Sequence, residues 1–138
     1  MTNYQLQSDY KEIAGVCSGV LAELSDVLSP AKRDELHIGL SEALNNVIEH
    51  SYQEEPGNKI DVCLESSANK VTIRIIDYGR GMAEEKFENR AAEVVFDQED
   101  MASFPEGGMG ISLIKACMDA TAYTRKDGAN TLELVKHR

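Results

Sequence analysis

In the first third of the chain apolar residues recur every three or four positions, and after Gly57 they alternate with polar ones. The first spacing is that of a helix with one buried face, the second that of a strand buried on one side. Tyr10, Ile13, Val16, Cys17, Val20, Leu21 and Leu24 predict a helix that starts after the capping side chains of Ser8 and Asp9 and ends near Leu28. Ser29-Pro30 is the preferred cap-then-proline order for a second start. Leu36, Leu40, Ala43, Leu44, Val47 and Ile48 carry that second helix to about Tyr52. Residues 3–7 fit a short edge strand. Ile60, Val62 and Leu64 alternate with Asp61, Cys63 and Glu65; Val71, Ile73 and Ile75 repeat the pattern after a short turn and lead into Ile76-Asp77. Two further strands, 120–125 and 130–136, flank the tight turn Lys126-Asp127-Gly128, with Leu132 and Leu134 alternating in the last.

Residues 83–105 are of a different character: acid-rich, weakly amphipathic between Phe87 and Phe96, and closed by Pro105. They predict a short helix followed by a mobile loop. Gly107-Gly108-Met109-Gly110 then opens another helical pattern through Ile111, Leu113, Ile114, Ala116, Cys117 and Met118. Strands joined by short turns, with helical stretches between, point to an α/β fold in which helices cover one face of an antiparallel or mixed sheet.

The bulk properties narrow the classes. A chain of 138 residues is expected to form one domain with its own core, and 42% hydrophobic with 28% charged residues is the balance of a soluble globular protein. No apolar run approaches the roughly 18 to 20 residues of a membrane span, and MTNYQLQSDYKE has neither the basic start nor the apolar centre of a signal peptide. Cytoplasmic residence is the resulting expectation. A formal charge of −10 weighs against a nucleic-acid partner, whose phosphates would be repelled, but leaves room for a small anion held by backbone amides. Cys17, Cys63 and Cys117 are isolated, with no CxxC pair, and read as buried small apolar residues rather than a disulfide or zinc framework.

Three constellations could carry chemistry. Glu42 and Asn46 lie one helical turn apart; an amide oxygen can ligate a hard cation and a carboxylate can orient or deprotonate a hydroxyl. Asp77-x-Gly79-x-Gly81 follows a strand, where the acid could accept a hydrogen bond from an exocyclic amine. Gly107-Gly108-Met109-Gly110 opens a helix, whose free amides bind anions that approach closest over glycine. Taken singly, each also fits a bland role: solvated helix polar groups, a strand-ending turn, and a loop that lets a helix pack closely. The glycine run is neither a Walker loop nor a dinucleotide fingerprint.

Together and in this order, the three resemble the ATP-site boxes of the GHKL ATPase/kinase superfamily. The stretch SEALNNVIEH, Ser41 to His50, and the stretch PEGGMGISLIKACMD, Pro105 to Asp119, are similar to those of bacterial anti-sigma factor serine/threonine kinases. The resemblance runs from about Ser8 to Lys136. It implies a Bergerat-type two-layer sandwich with a mostly antiparallel sheet, ATP and magnesium between helices and sheet, and an ATP lid over about 83–106. It also implies roles: Glu42 as catalytic base, Asn46 as magnesium ligand, and Asp77 as the adenine-reading acid with Gly79, Gly81 and Met82 beside it. Gly107, Gly108, Met109 and Gly110 would form the phosphate loop, and Thr131 would support the adenine contacts. His50 matches a common family residue. The implied partners are a STAS-type anti-anti-sigma protein, a sigma factor or another regulator, and a second copy of the chain. One departure bears on rate. Related kinases often carry an arginine just ahead of the phosphate-loop glycines, whereas Ser103-Phe104-Pro105-Glu106 has no cation, which leaves either a kinase or a nucleotide-dependent binding module that sequesters a sigma factor or regulates a phosphatase.

Overall fold

The computed structural model describes residues 1–82 and 108–138, and for Gly108 and Met109 the backbone alone. The expected short helix and loop over 83–106, and Gly107, lie outside the described residues. The elements in chain order are β1 (Thr2–Gln7), α1 (Tyr10–Glu23), α2 (Pro30–Asn46), a π-helical turn (Val47–Ser51), β2 (Lys59–Ser66), β3 (Lys70–Asp77), α3 (Gly108–Cys117), β4 (Ala120–Lys126) and β5 (Ala129–His137). The five strands form one sheet in the order β1-β2-β3-β5-β4, and every neighbouring pair is antiparallel. Of the antiparallel and mixed alternatives, the antiparallel one holds.

The first two helices start where their sequences provide a cap. Asp9 accepts a hydrogen bond from Lys11 N at 3.0 Å, and Ser29 accepts one from Lys32 N at 3.3 Å, with Pro30 opening α2. Ser8 is not a cap. It is buried, donates to Glu55 O at 2.6 Å and accepts from Asn58 N at 2.9 Å, tying the end of β1 to the loop before β2. Helix α1 is shorter than its spacing predicts. It stops at Glu23, and Leu24 and Leu28 reach the core from a single further turn closed by Leu28 N to Leu24 O at 3.0 Å. A four-residue apolar spacing is satisfied by that turn as well as by continued helix, which is why spacing alone overextends α1.

The core lies between the helices and one sheet face. Strand alternation sends Leu6, Ile60, Val62, Leu64, Val71, Ile73, Ile75, Leu132 and Leu134 to that side, where they meet Val20, Leu36, Leu40, Leu44 and Ile48. Gly39 brings α2 and α3 together, since a Cβ there would fall 2.4 Å from Met118 Cε. Cys17 and Cys117 are buried as expected, and burial pushes the Cys17 thiol up to about 11. Cys63 is only half-buried, because its register with Arg74 places it on the opposite sheet face. That face carries Arg74 between Glu133 at 3.0 Å and Glu65 at 3.2 Å. No helix among the described residues is long and apolar enough to cross a membrane.

One buried cation fixes the far end of α3. Lys136, 4% exposed, donates from Nζ to Glu35 of α2 at 2.5 Å and to the Cys117 carbonyl at 2.7 Å. Helix-terminal carbonyls have no intrahelical donor, so this contact both caps α3 and joins it to α2 and β5. Lys136→Met keeps the stem but removes the donor. It is expected to cost about 1–3 kcal/mol, the penalty of an unsatisfied buried acceptor, read as a lower urea midpoint; an unchanged midpoint would show that the cap is dispensable.

Candidate functional site

Asp77 closes β3 in register with Ile60 on one side and Asn130 on the other, and is 3% exposed. A carboxylate at that depth has to be met by donors. Three converge on its Oδ1: Ser51 Oγ at 2.5 Å, Asn130 Nδ2 at 2.8 Å and Gly79 N at 3.0 Å. Among the described residues none donates to Oδ2. One oxygen is fully committed to the fold, and the other retains its capacity to accept.

The three donors come from three parts of the chain. Ser51 is delivered by the π-helical turn after α2, where Tyr52 N reaches back five residues to Val47 O at 3.0 Å. Widened turns of this kind redirect side chains and recur at functional positions. Ser51 also accepts from Gly81 N at its Oγ and from Arg80 N at its carbonyl, each at 3.0 Å, so the chain after Asp77 wraps around it. That wrap admits no side chain: a Cβ on Gly79 would lie 2.5 Å from Ser51 O, and one on Gly81 would lie 2.5 Å from Asn130 Oδ1. Gly81 in addition has φ +64°, a conformation costly for other residues. Asn130 Nδ2 donates a second time to Gly79 O at 3.0 Å. Tyr52 holds the other flank, donating to Lys59 O at 2.6 Å and accepting from Tyr78 N at 2.8 Å.

Further back along the same continuous segment, Asn46 and Glu42 are half-buried on successive turns of α2. Asn46 precedes Ser51 by five residues, roughly 7 Å along a helix axis. Helix α3 meets α2 there, since a Cβ on Gly110 would be 3.0 Å from Asn46 Oδ1 and 3.1 Å from Nδ2. The glycine-opened first turn of α3, with Gly108 and Met109 in its backbone, thus lies beside the Asn46 amide. The first amides of a helix lack intrahelical partners and favour an anion. Burial raises the Glu42 carboxyl above the ordinary range, and Glu49, seven residues on, adds to the rise. A carboxylate of raised pKa is a better proton acceptor than a solvated one.

The structure therefore brings together Asp77, Gly79, Gly81 and Met82 as one cluster and Glu42, Asn46 and Gly110 as a second on the same helical segment. Met82 joins the first through its backbone: its N–H donates to Tyr123 OH at 2.9 Å. Thr131 does not join. Its register with Ile76 and Thr124 puts it on the opposite sheet face, while Asn130, in register with Asp77 and sharing its face with Leu132 and Leu134, is the β5 residue that donates to the carboxylate. Ser51, Asn130, Tyr123 and Arg125 are the site residues that sequence reasoning missed. For Asn130 the signal was present: an even spacing from Leu132 and Leu134 selects residue 130 and excludes 131. His50 contributes its carbonyl, which accepts from Arg80 Nε at 3.2 Å.

A buried acid with one uncommitted oxygen and a glycine-opened helix facing an amide sit on one two-layer α/β sandwich. The family model for the histidine kinase-like ATPase domain matches residues 6–136, and the chain belongs to that family. It is 26% identical over 126 residues to the serine-protein kinase RsbW of Staphylococcus epidermidis, covering 91% of this chain and 74% of that one. It is 28% identical over 95 residues to the RsbW of Oceanobacillus iheyensis, covering 69% and 60%. Among solved structures, the SiaB-SiaC complex from Pseudomonas aeruginosa matches with a TM-score of 0.65 at 9% identity, over 98% of this chain and 88% of that chain. The structure of the RsbU and RsbW domains of Rv1364c from Mycobacterium tuberculosis matches with a TM-score of 0.60 at 13% identity; this chain, covered in full, spans 33% of it. These likenesses establish the shared fold.

The environment of Glu42 sets a pH dependence. Its folded pKa lies above its unfolded one, so the fold holds the proton more tightly. The resulting stabilisation is complete below the unfolded glutamate value of about 4.3 and disappears as pH rises through the raised folded value. Ionised Glu42 is consequently a burden at neutral pH. Glu42→Gln should raise the thermal midpoint at pH 7 and show a shrinking difference from the unaltered chain as pH falls towards 4; a lower midpoint at pH 7 would contradict this. Gly79→Ala, whose added Cβ meets backbone rather than a movable side chain, should weaken nucleotide binding measured by calorimetry, and unchanged affinity would show that the turn can yield.

Proposed function

We propose that this protein binds ATP with magnesium and transfers the γ-phosphate to a serine or threonine hydroxyl of a STAS-type anti-anti-sigma protein, serving as an anti-sigma factor in a partner-switching pathway. The observation that carries the reading is the division of labour within Asp77, 3% exposed: among the described residues three donors meet Oδ1 and none meets Oδ2. Oδ2 accepts from the exocyclic amine of adenine, and the Gly79–Gly81 turn lets the base lie against backbone. The amides of Gly108, Met109 and Gly110 at the start of α3 bind phosphate oxygens. Asn46, through its amide oxygen, is the residue that would hold magnesium, which when bound neutralises phosphate charge. Glu42, already raised in pKa by burial and Glu49, takes the proton of the attacking hydroxyl at a carboxylate oxygen. The serine-protein kinase name of the 26% and 28% identical relatives supports the same assignment.

A second reading makes the chain a nucleotide-dependent binding module for a sigma factor or a phosphatase regulator, with little transfer. It is favoured by the absence of a cation from Ser103-Phe104-Pro105-Glu106, directly ahead of the phosphate-loop glycines. The net charge of −10 suits a basic surface on such a partner, and a homodimer belongs to either reading.

Incubation with labelled ATP, magnesium and a STAS protein encoded nearby separates the two. Label transfer that disappears in Glu42→Ala, with ATP affinity largely kept, supports the kinase. Nucleotide-dependent association without transfer supports the module. Asp77→Asn should lose most ATP affinity under either, and full-affinity binding by that variant would sink the ATP site as drawn.

A further inference from the structure

Arg125 lies at the end of β4, exposed, and in register with Asn130. Its guanidinium makes three directed contacts to this cluster. Nε donates to Asn130 Oδ1 at 3.2 Å, Nη2 donates to Arg80 O at 2.8 Å, and Nη1 approaches Met82 O at 3.5 Å. The two carbonyls flank Gly81, the residue with φ +64° at the centre of the turn. The third acceptor belongs to the side chain that donates to Asp77.

We propose that Arg125 is a positioning residue for recognition of the adenine amine, acting through Asn130 on Asp77; the proposal rests on the ATP-binding reading above. The chemistry of the groups gives the reason. A guanidinium has donors only, so the Asn130 amide must turn its oxygen towards Arg125. Its two N–H groups then point at Asp77 Oδ1 and Gly79 O. An amide turned the other way would set an acceptor against the carboxylate and a donor against the guanidinium. Arg125 therefore fixes the sense of the amide, and by polarising it strengthens its donation to Asp77. With Oδ1 held in this way, Oδ2 keeps a single orientation in which to accept from a ligand.

Two other features fit this role. The planar fork of arginine is needed to reach a side-chain oxygen and a main-chain carbonyl together, which the point charge of lysine cannot reproduce. These three contacts run to the Asp77–Gly81 cluster, whereas Asn46 and Gly110 are brought together by α2 and α3. Loss of Arg125 should thus blunt the reading of the base amine and spare the phosphate end.

The test compares ATP with inosine triphosphate, which carries a carbonyl where adenine carries its amine. Affinities of the full chain for both nucleotides, with magnesium, are measured by calorimetry for the unaltered protein, Arg125→Ala and Arg125→Lys, each with a thermal melt. The unaltered chain should prefer ATP. Arg125→Ala should lose about tenfold in ATP affinity, the size of one hydrogen bond to a charged group, with inosine triphosphate affinity little changed, so the preference collapses. Arg125→Lys should fall between. Equal losses for both nucleotides would mark Arg125 as a general support of the fold and overturn the proposal, as would full ATP preference in a folded Arg125→Ala. If Arg125→Ala melts without cooperativity, Arg125→Lys is judged by the same criteria. Failure of the unaltered chain to bind ATP would overturn the ATP reading and this proposal with it, whereas ATP binding with unaltered preference in the variants overturns only the role of Arg125.

Discussion

A carboxylate buried at the end of a central strand is the constraint around which this structure is arranged. Asp77 is 3% exposed, so most of its hydrogen-bonding capacity must be met by donors that the fold brings to it. The π-helical turn at Val47–Ser51, the glycines at 79 and 81, and the register between β3 and β5 all answer that one demand. Each of them either supplies a donor to Oδ1 or makes room for one. The same crowding explains why the turn after β3 is built from glycine: the donors come so near that a methyl group would occupy their positions.

The second half of the site depends on a close approach of a different kind. Helix α3 lies close against Asn46 at residue 110, where a Cβ would sit 3.0 Å from the amide oxygen, and it is kept there from its other end by Lys136. The start of α3 faces Asn46 and its end is closed by a buried ammonium, so its position is set at both termini. Glu42 borders this region in a half-buried position where ionisation is disfavoured by lost solvation and by Glu49. A carboxylate in such surroundings is held at some expense to stability at neutral pH, which fits the proposed role of Glu42 as proton acceptor.

Much of the fold was legible because periodicity reports burial directly. The α2 stripe, the alternation in β2 and β3, the caps Asp9 and Ser29 and the terminal hairpin all correspond to observed elements. The glycine clusters were legible as positions of close approach, though not what approached them. The rest depended on partners distant in sequence. Ser51 is one hydroxyl beyond a helix, and its value comes from a widened turn that leaves the apolar spacing of Val47, Ile48 and Tyr52 intact. Asn130 rather than Thr131 shares the face of Asp77, and the alternation with Leu132 and Leu134 distinguishes the two. Arg125 carried no local signal, since its meaning lies in two carbonyls and an amide that only the folded sheet assembles.

The position of β5 between β3 and β4 has a consequence for how the protein is made. Asp77 waits for a partner 53 residues further along the chain, and that partner arrives on a strand that must slot between two others. A nascent polypeptide that has emerged only through β3 holds an acid with no Asn130 beside it and a turn with no Arg125 to clasp it. Contacts so far apart in sequence form late, because loop closure precedes their reward. On the ATP reading proposed above, a nucleotide would meet a complete site only once the sheet is complete, and binding at that stage would lock in the final strand by mass action.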